Sequence, residues 1–152
     1  MPNKVKLDIA IADYPHTAAI LSGAVPIEGV EPNFIRVVPQ IAAYRRMARQ
    51  VEFDVCEMAI TTYICAKAHG KPMTAIPVPL VRAFHHGAIL VNSKAGIASP
   101  KDLEGKRIGV QGYQMTAAVW IRGMLHAEYG VSFDKVRWLE GGVNERGDRK
   151  ST

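Results

Sequence analysis

Cysteine is scarce in this sequence, and a long uninterrupted apolar run is missing from it. The chain has two cysteines among 152 residues, Cys56 and Cys65, which are too few for a disulfide scaffold. They do not form a Cys-x-x-Cys pair, and no cysteine and histidine cluster has zinc spacing, so we predict no metal site. No apolar stretch approaches the roughly 20 residues that cross a bilayer. These absences exclude a disulfide-rich domain and a transmembrane helix.

Several familiar sequence motifs are also absent. The chain lacks the Gly-x-Gly-x-x-Gly dinucleotide fingerprint, a Walker loop and the Gly-x-Ser-x-Gly elbow of hydrolases. Its N-terminus enters an alternating pattern without the apolar stretch and cleavage site of a secretory signal. The sequence therefore predicts a cytoplasmic protein and excludes the common nucleotide-binding and serine-hydrolase classes.

The excess of positive charge is small and dispersed. Nineteen basic residues against 14 acidic ones leave a net charge of +5. A mild positive field favours small anionic ligands. Only Arg45, Arg46 and Arg49 cluster, and they do so at helical spacing. We therefore predict a small anionic partner, with no nucleic acid and no membrane.

Strand and helix patterns alternate along the chain. Every second residue from 5 to 11 is apolar, which predicts a strand. Apolar residues recur every three or four positions over 40–50 and over 116–128, which predicts two helices. The same reasoning places further strands at 34–38, 53–56, 87–92, 107–110 and 135–139, and further helices at 18–21 and 57–68.

Strands that alternate with helices at this spacing predict an α/β fold with largely parallel sheets. The best internal boundary lies at 90–95, where a strand leads into a stretch punctuated by Gly, Ser and Pro. We accordingly predict two lobes, 1–90 and 91–142, followed by a polar tail at 143–152.

Three turns lie where such a fold usually binds its ligand, beyond the carboxyl ends of the strands. Each presents hydroxyls and backbone N–H groups at a helix N-terminus, which attracts carboxylate or phosphate. The alternative is that these residues only cap helices and form turns. The candidate ligand-binding residues are Tyr14, His16, Glu57, Thr61, Tyr113 and Thr116.

The densest polar and aromatic group comprises Arg82, Phe84, His85 and His86. An arginine offers a bidentate fork to a carboxylate, and a histidine exchanges protons near neutral pH. In an extended segment His85 and His86 would point to opposite faces, which disfavours joint chelation of a metal. Arg122, in the helix that begins near Thr116, is either solvent-facing or part of a site.

Residues 99–110, Ser-Pro-Lys-Asp-Leu-Glu-Gly-Lys-Arg-Ile-Gly-Val, resemble the segment that opens the second lobe of type 2 periplasmic-binding-protein folds. A narrower resemblance, over about residues 5–143, is to the 4,5-dihydroxyphthalate decarboxylase family. The segments that carry it are 46–47, 52–58, 75–78, 113, 120–123, 128–131, 138 and 141–142.

The resemblance implies a decarboxylase of a hydroxylated aromatic (di)carboxylic acid that uses no cofactor. The ring carbon that bears the carboxylate should be protonated first, by His86 or His85. The family has Phe-Arg-His where this chain has Phe84-His85-His86, so Arg82 would have to bind the retained carboxylate. The resemblance also implies that the 113–116 turn binds the retained carboxylate. Tyr14, His16 and Glu57 would orient or deprotonate the ring hydroxyls.

Two other functions remain open at this point. One is a non-catalytic solute-binding protein for a small organic anion, and the other is an inactive fragment of either kind of protein. Family members are longer than this chain, which leaves the family pattern after Gly142. The resemblance therefore implies that the C-terminal half of a two-lobed fold is missing, with sheet edges and apolar faces left uncovered.

Uncovered apolar faces predict self-association of the chain. We expect it to aggregate or to form an intertwined homo-oligomer, because apolar surface that lacks its covering elements is buried against a second copy. Analytical ultracentrifugation together with thermal unfolding checks this expectation. A compact, stable monomer with a sharp two-state transition would contradict it.

Overall fold

The computed structural model describes residues 3–141, so the predicted tail at 143–152 lies outside the described residues. The chain divides into two units, Met1–Leu80 and Val81–Thr152, and the predicted boundary at 90–95 lies inside the second. Each unit has its own parallel sheet and its own apolar core. The predicted α/β class with parallel strands is confirmed, and the division into lobes stays a prediction.

The sheet of the first unit is organised around its first strand. β1 (Val5–Ala10) lies between β2 (Val30–Phe34) and β3 (Val55–Cys56), and both neighbours run parallel to it. Its carboxyl end is buried, with Ala10 only 1% exposed. Three helices complete this unit: α1 (Ala18–Leu21), α2 (Gln40–Gln50) and α3 (Ile60–Ala68).

The core of the first unit forms where α2 and α3 cover this sheet. α2 buries Ala43 and Met47, which are four residues apart and therefore share one face. α3 contributes Ala66 to the same cluster. The predicted bounds of α2 are confirmed, while β3 and α3 begin two or three residues later than predicted.

The strand predicted at 34–38 is wrong, because β2 runs from Val30 to Phe34 and contains Pro32. Proline ordinarily argues against a strand because it lacks the N–H that a ladder needs. β2 pairs with β1 and lies at the edge of the described sheet, so its other side requires no donor. An edge position is therefore what makes a proline compatible with this strand.

The second unit consists of a strand pair joined by a helix. β4 (Arg107–Val110) and β5 (Arg137–Glu140) are parallel, and α4 (Thr116–Ala127) connects them. Its core comprises Leu103, Leu125, Val131 and Val136. Short 3₁₀ turns lie at His86–Ala88, Pro100–Leu103 and Phe133–Lys135.

The strand predicted at 87–92 is also wrong. The structure has the 3₁₀ turn His86–Ala88 there, followed by irregular backbone in which Leu90 is 91% exposed. A strand is stable only beside a partner that receives its hydrogen bonds. Within residues 3–141 no strand pairs with this segment. The apolar residues of 87–91 therefore lack the sheet that their pattern implied.

A charged network in the second unit connects residues 101–104 with residues 132–135. Glu104 accepts hydrogen bonds from Lys101 Nζ at 2.7 Å and from the Ser132 amide at 2.9 Å. Lys135 Nζ lies 3.3 Å from its other oxygen. These partners, Lys101 first, lower the pKa of Glu104 to about 2. The carboxylate therefore stays ionised and holds these two segments together at neutral pH.

Candidate functional site

In the first unit, side chains gather at the carboxyl ends of β1 and β3. These parallel neighbours end side by side, and the Glu57 amide donates to Ala10 O at 2.9 Å. The Glu57 carboxylate points back to the loop after β1, where Oε2 accepts the Ala12 amide at 3.1 Å. Tyr14 donates its hydroxyl to Glu57 Oε1 at 2.7 Å. The predicted residues Tyr14 and Glu57 are therefore in direct contact.

Tyr44 is a member of this cluster that sequence reasoning missed. It lies on α2, and its hydroxyl donates to the same Glu57 Oε1 at 2.7 Å. In the sequence Tyr44 reads as one more apolar residue of that helix. The available signal was its hydroxyl, since a tyrosine on the covered face of a helix needs a hydrogen-bond partner.

The loop after β1 is held in place by Thr17, which is only 2% exposed. Its hydroxyl oxygen accepts the Tyr14 amide at 2.8 Å, and its proton goes to Ala12 O at 2.8 Å. The ring of His16 stacks on that of Tyr14, with centroids 5.2 Å apart and an interplanar angle of 9°. His16 itself is exposed, and Thr61 is half-buried in the first turn of α3.

The electrostatics of this cluster keep its phenols protonated. Burial, reinforced by the neighbouring Glu57 carboxylate, raises the pKa of Tyr14 to about 12. The same two causes raise the pKa of Tyr44 above its ordinary value. Burial also raises the pKa of the Cys56 thiol to about 12, so this cysteine is not an activated nucleophile. At neutral pH both tyrosines are neutral hydrogen-bond donors to Glu57.

In the second unit, a cavity of about 260 Å³ lies against α4. Its lining is mostly apolar, and His86 is the imidazole on it. His86 Nε2 lies 3.5 Å from Glu128 Oε2, and both side chains are about half exposed. The lining residues are His86, Ile89, Val91, Ile97, Ala98, Ser99, Pro100, Leu103, Met124, Leu125 and Tyr129.

A second polar group of this unit lies at the carboxyl ends of β4 and β5. The Arg122 guanidinium stacks on the Tyr113 ring, 3.6 Å from its centroid, and Nη1 donates to Tyr113 O at 2.6 Å. The Tyr113 amide donates to Glu140 Oε1 at 2.5 Å. Thr116 begins α4 directly after this turn. The predicted residues Tyr113 and Arg122 are therefore brought together, and Glu140 joins them.

Arg82 and His85 are not among the residues that line the cavity. Arg82 is exposed, and the His85 carbonyl accepts the Ala88 amide at 3.0 Å as the 3₁₀ turn begins. The extended conformation predicted for His85 and His86 is wrong, because this turn replaces the strand. Of the two predicted proton donors, His86 is the one beside an apolar cavity.

Residues 3–141 contain neither a metal-binding cluster nor a membrane-spanning helix. No group of three or more His, Cys, Asp or Glu side chains among them is arranged to hold a metal ion. None of the helices in this part of the chain has the length and apolar character that a membrane crossing requires.

Comparison with known proteins assigns the chain to a class. The family model described as NMT1/THI5 like matches residues 46–147, and the chain belongs to this periplasmic-binding-protein-like family. The chain is also 40% identical over 144 residues to the 4,5-dihydroxyphthalate decarboxylase of Comamonas testosteroni. It is 39% identical over 146 residues to the protein of that name from Pseudomonas putida. The predicted resemblance is thereby confirmed.

The alignments cover the two partners unequally. They include 94% and 95% of this chain, but 43% of the Comamonas protein and 56% of the Pseudomonas protein. The chain therefore spans about half the length of the curated relatives it matches.

The contact between Tyr14 and Glu57 predicts a specific alkaline titration. Because the folded-state pKa of Tyr14 is raised from 10.0 to about 12, its stabilising contribution is complete below pH 10 and is lost as the pH rises toward 12. Glu57→Gln removes the charge and should lower the pKa of Tyr14. Spectrophotometric titration of tyrosinate, as the difference between each protein and its Tyr14→Phe variant, measures this pKa.

Tyr63→Phe is the matched control for this titration, because the Tyr63 hydroxyl accepts the Ala75 amide and lies outside the Glu57 cluster. Tyr63→Phe should leave the pKa of Tyr14, measured from the difference signal, unchanged. An unchanged titration of Tyr14 in Glu57→Gln would show that the carboxylate does not govern this phenol.

Proposed function

We propose that the chain acts in the cofactor-independent decarboxylation of a hydroxylated aromatic dicarboxylic acid such as 4,5-dihydroxyphthalate. The observation that carries this proposal is the 40% identity, over 94% of the chain, to a protein named for that activity. Two features of the structure support it. One is an imidazole beside an apolar cavity, and the other is a cluster of phenols around a carboxylate.

The reaction needs a proton donor more than any other group. Direct loss of carbon dioxide from an aromatic ring would leave an unstable aryl carbanion. A ring hydroxyl para to the carboxylated carbon supplies an electron pair to the ring, more strongly once deprotonated, and that carbon accepts a proton. The bond to the carboxylate then breaks, carbon dioxide leaves, and the bonding pair restores the aromatic ring. The net reaction consumes one proton from water and requires no oxidant or reductant.

His86 is the proposed proton donor. Its cavity, at about 260 Å³, is slightly smaller than the range of about 300–1,000 Å³ found for ligand pockets, and suits a single aromatic ring. The Glu128 carboxylate, 3.5 Å from Nε2, is placed to balance the positive charge of a protonated imidazole. A general acid of this kind contributes about 10²–10⁴-fold to a rate. His85 is the second candidate for the same role.

The remaining contacts divide by charge. Arg82, Arg122 and the 113–116 turn are the proposed partners of substrate carboxylate, because guanidinium groups and backbone N–H groups favour anions. Arg122 is already oriented by its stack on Tyr113. The proposed partners of the ring hydroxyls are Tyr14, His16, Glu57 and Thr61.

Membership in a periplasmic-binding-protein-like family favours a second candidate, which is binding of a small organic anion without turnover. Measuring release of carbon dioxide from 4,5-dihydroxyphthalate separates the two. The 152-residue chain is assayed beside the Comamonas relative as positive control, with a chelator and again with added divalent metal. Release in the presence of chelator supports the decarboxylase.

Three outcomes of this assay count against the proposal. Binding by calorimetry without release would favour the binding protein, and release only with added metal would refute independence from a cofactor. Neither binding nor release, with an active control, would overturn both functions for this chain.

Substitutions should separate proton transfer from substrate binding. His86→Ala is expected to lower kcat by about 10²–10⁴-fold with little change in substrate Kd, because a general acid acts in the transition state. Arg82→Ala is expected to weaken binding by about 1.5–3 kcal/mol, the value of a hydrogen bond to a charged group. Steady-state kinetics and calorimetry provide both quantities.

The matched controls are His69→Ala and Lys94→Ala, which remove an exposed imidazole and an exposed cation. Both should retain activity and affinity. Equal losses of kcat in His86→Ala and His69→Ala would remove the proposed role of His86.

A further inference from the structure

We propose that Tyr14, held by Glu57 and Tyr44, forms a subsite that accepts hydrogen bonds from un-ionised hydroxyl groups of the ligand and disfavours carboxylate. The inference deepens the proposed function and rests on its substrate class, a ring that carries both hydroxyls and carboxylates. It adds Tyr44 as a positioning residue.

Both phenol protons of the cluster are already directed to Glu57. A tyrosine hydroxyl has one proton to donate. Tyr14 and Tyr44 both direct theirs to Glu57 Oε1, each at 2.7 Å. Neither hydroxyl can therefore donate to anything else while these bonds persist. Toward a ligand, the Tyr14 oxygen is therefore an acceptor only.

The Glu57 carboxylate has most of its acceptor positions filled. Glu57 Oε1 already accepts two hydrogen bonds, and Oε2 accepts the Ala12 amide at 3.1 Å. Since each carboxylate oxygen has two lone pairs, one acceptor position remains, on Oε2. The cluster thus combines acceptor atoms with a negative charge. A hydroxyl donor fits such a surface, whereas a carboxylate is repelled by it.

The two tyrosines have different roles because they lie on different elements. Tyr14 lies on the loop after β1, partly exposed, and its ring is stacked on the exposed His16. Tyr44 is also half-buried, but it lies on α2, the helix that packs on the core. Tyr14 is therefore the ligand-contacting group. Tyr44 acts through Glu57, because its hydrogen bond fixes the oxygen that receives the Tyr14 proton.

Calorimetry with three ring-substituted phthalates tests the subsite without reference to turnover. 4,5-Dihydroxyphthalate offers donors, 4,5-difluorophthalate has groups of similar size that cannot donate, and phthalate has neither. The intact chain should bind the dihydroxy ligand most tightly. Tyr14→Phe should reduce that affinity about 2- to 13-fold, as expected for one neutral hydrogen bond, and should leave the other two affinities unchanged.

Tyr44→Phe distinguishes positioning from mere support of the fold. A positioning residue should lower the preference for dihydroxy over difluoro ligand, whereas a purely structural residue would weaken all three ligands in parallel. Tyr63→Phe is the matched control, because it removes a hydroxyl of the same unit that accepts the Ala75 amide. It should leave the preference unchanged.

Two further results would overturn the proposal. One is equal binding of the dihydroxy and difluoro ligands by the intact chain, and the other is equal weakening of all ligands by Tyr14→Phe. Catechol has the hydroxyls without carboxylates. Its binding separates failure of the subsite from failure of the proposed function. If catechol binds in a Tyr14-dependent way and no phthalate binds, the subsite stands and the substrate class is wrong. If neither catechol nor any phthalate binds, the subsite and the proposed function both fail.

Discussion

The candidate site of the first unit depends on the hydrogen bonds that the Glu57 carboxylate accepts. This carboxylate connects the loop after β1, through Ala12 and Tyr14, with α2, through Tyr44. These segments are far apart in sequence, and a central parallel strand brings them to one edge of the sheet. Because each oxygen is engaged by a specific donor, the carboxylate fixes the direction of both phenols. Loss of this anchor would leave the loop after β1 supported mainly by Thr17.

A related arrangement is present in the second unit. Glu140 ends β5 and accepts the Tyr113 amide, which lies in the loop after the neighbouring β4. Glu57 follows β3 and accepts the Ala12 amide after the neighbouring β1. In both units a carboxylate at one strand end therefore fixes the loop that follows the adjacent strand. The surroundings differ, since phenols surround Glu57 whereas the Arg122 guanidinium lies on Tyr113.

The local sequence pattern correctly predicted the helices and strands whose bounds depend on neighbouring residues. α2 and β4 have their predicted bounds. The periodicity of apolar residues and the flanking turn residues determine such bounds within a few positions. The strand at 34–38 was wrong because an edge strand can include Pro32, and that depends on its position in the sheet. The strand at 87–92 was wrong because none of the described strands pairs with it. Both errors concern a partner strand that the local sequence does not reveal.

The sequence by itself determined the α/β class, the family resemblance and the types of residue available for chemistry. It also placed Tyr14, Glu57, Tyr113 and Arg122 at strand ends or on the following helix, since those positions follow from periodicity. Only the tertiary structure decided which of them meet. Tyr14 contacts Glu57 across 43 residues of chain, and His86 lies beside Glu128 across 42. Tyr44 could not be assigned from its helix alone. The physical reason is that periodicity reports one element at a time, whereas a site depends on which side chains strand order and helix packing bring together.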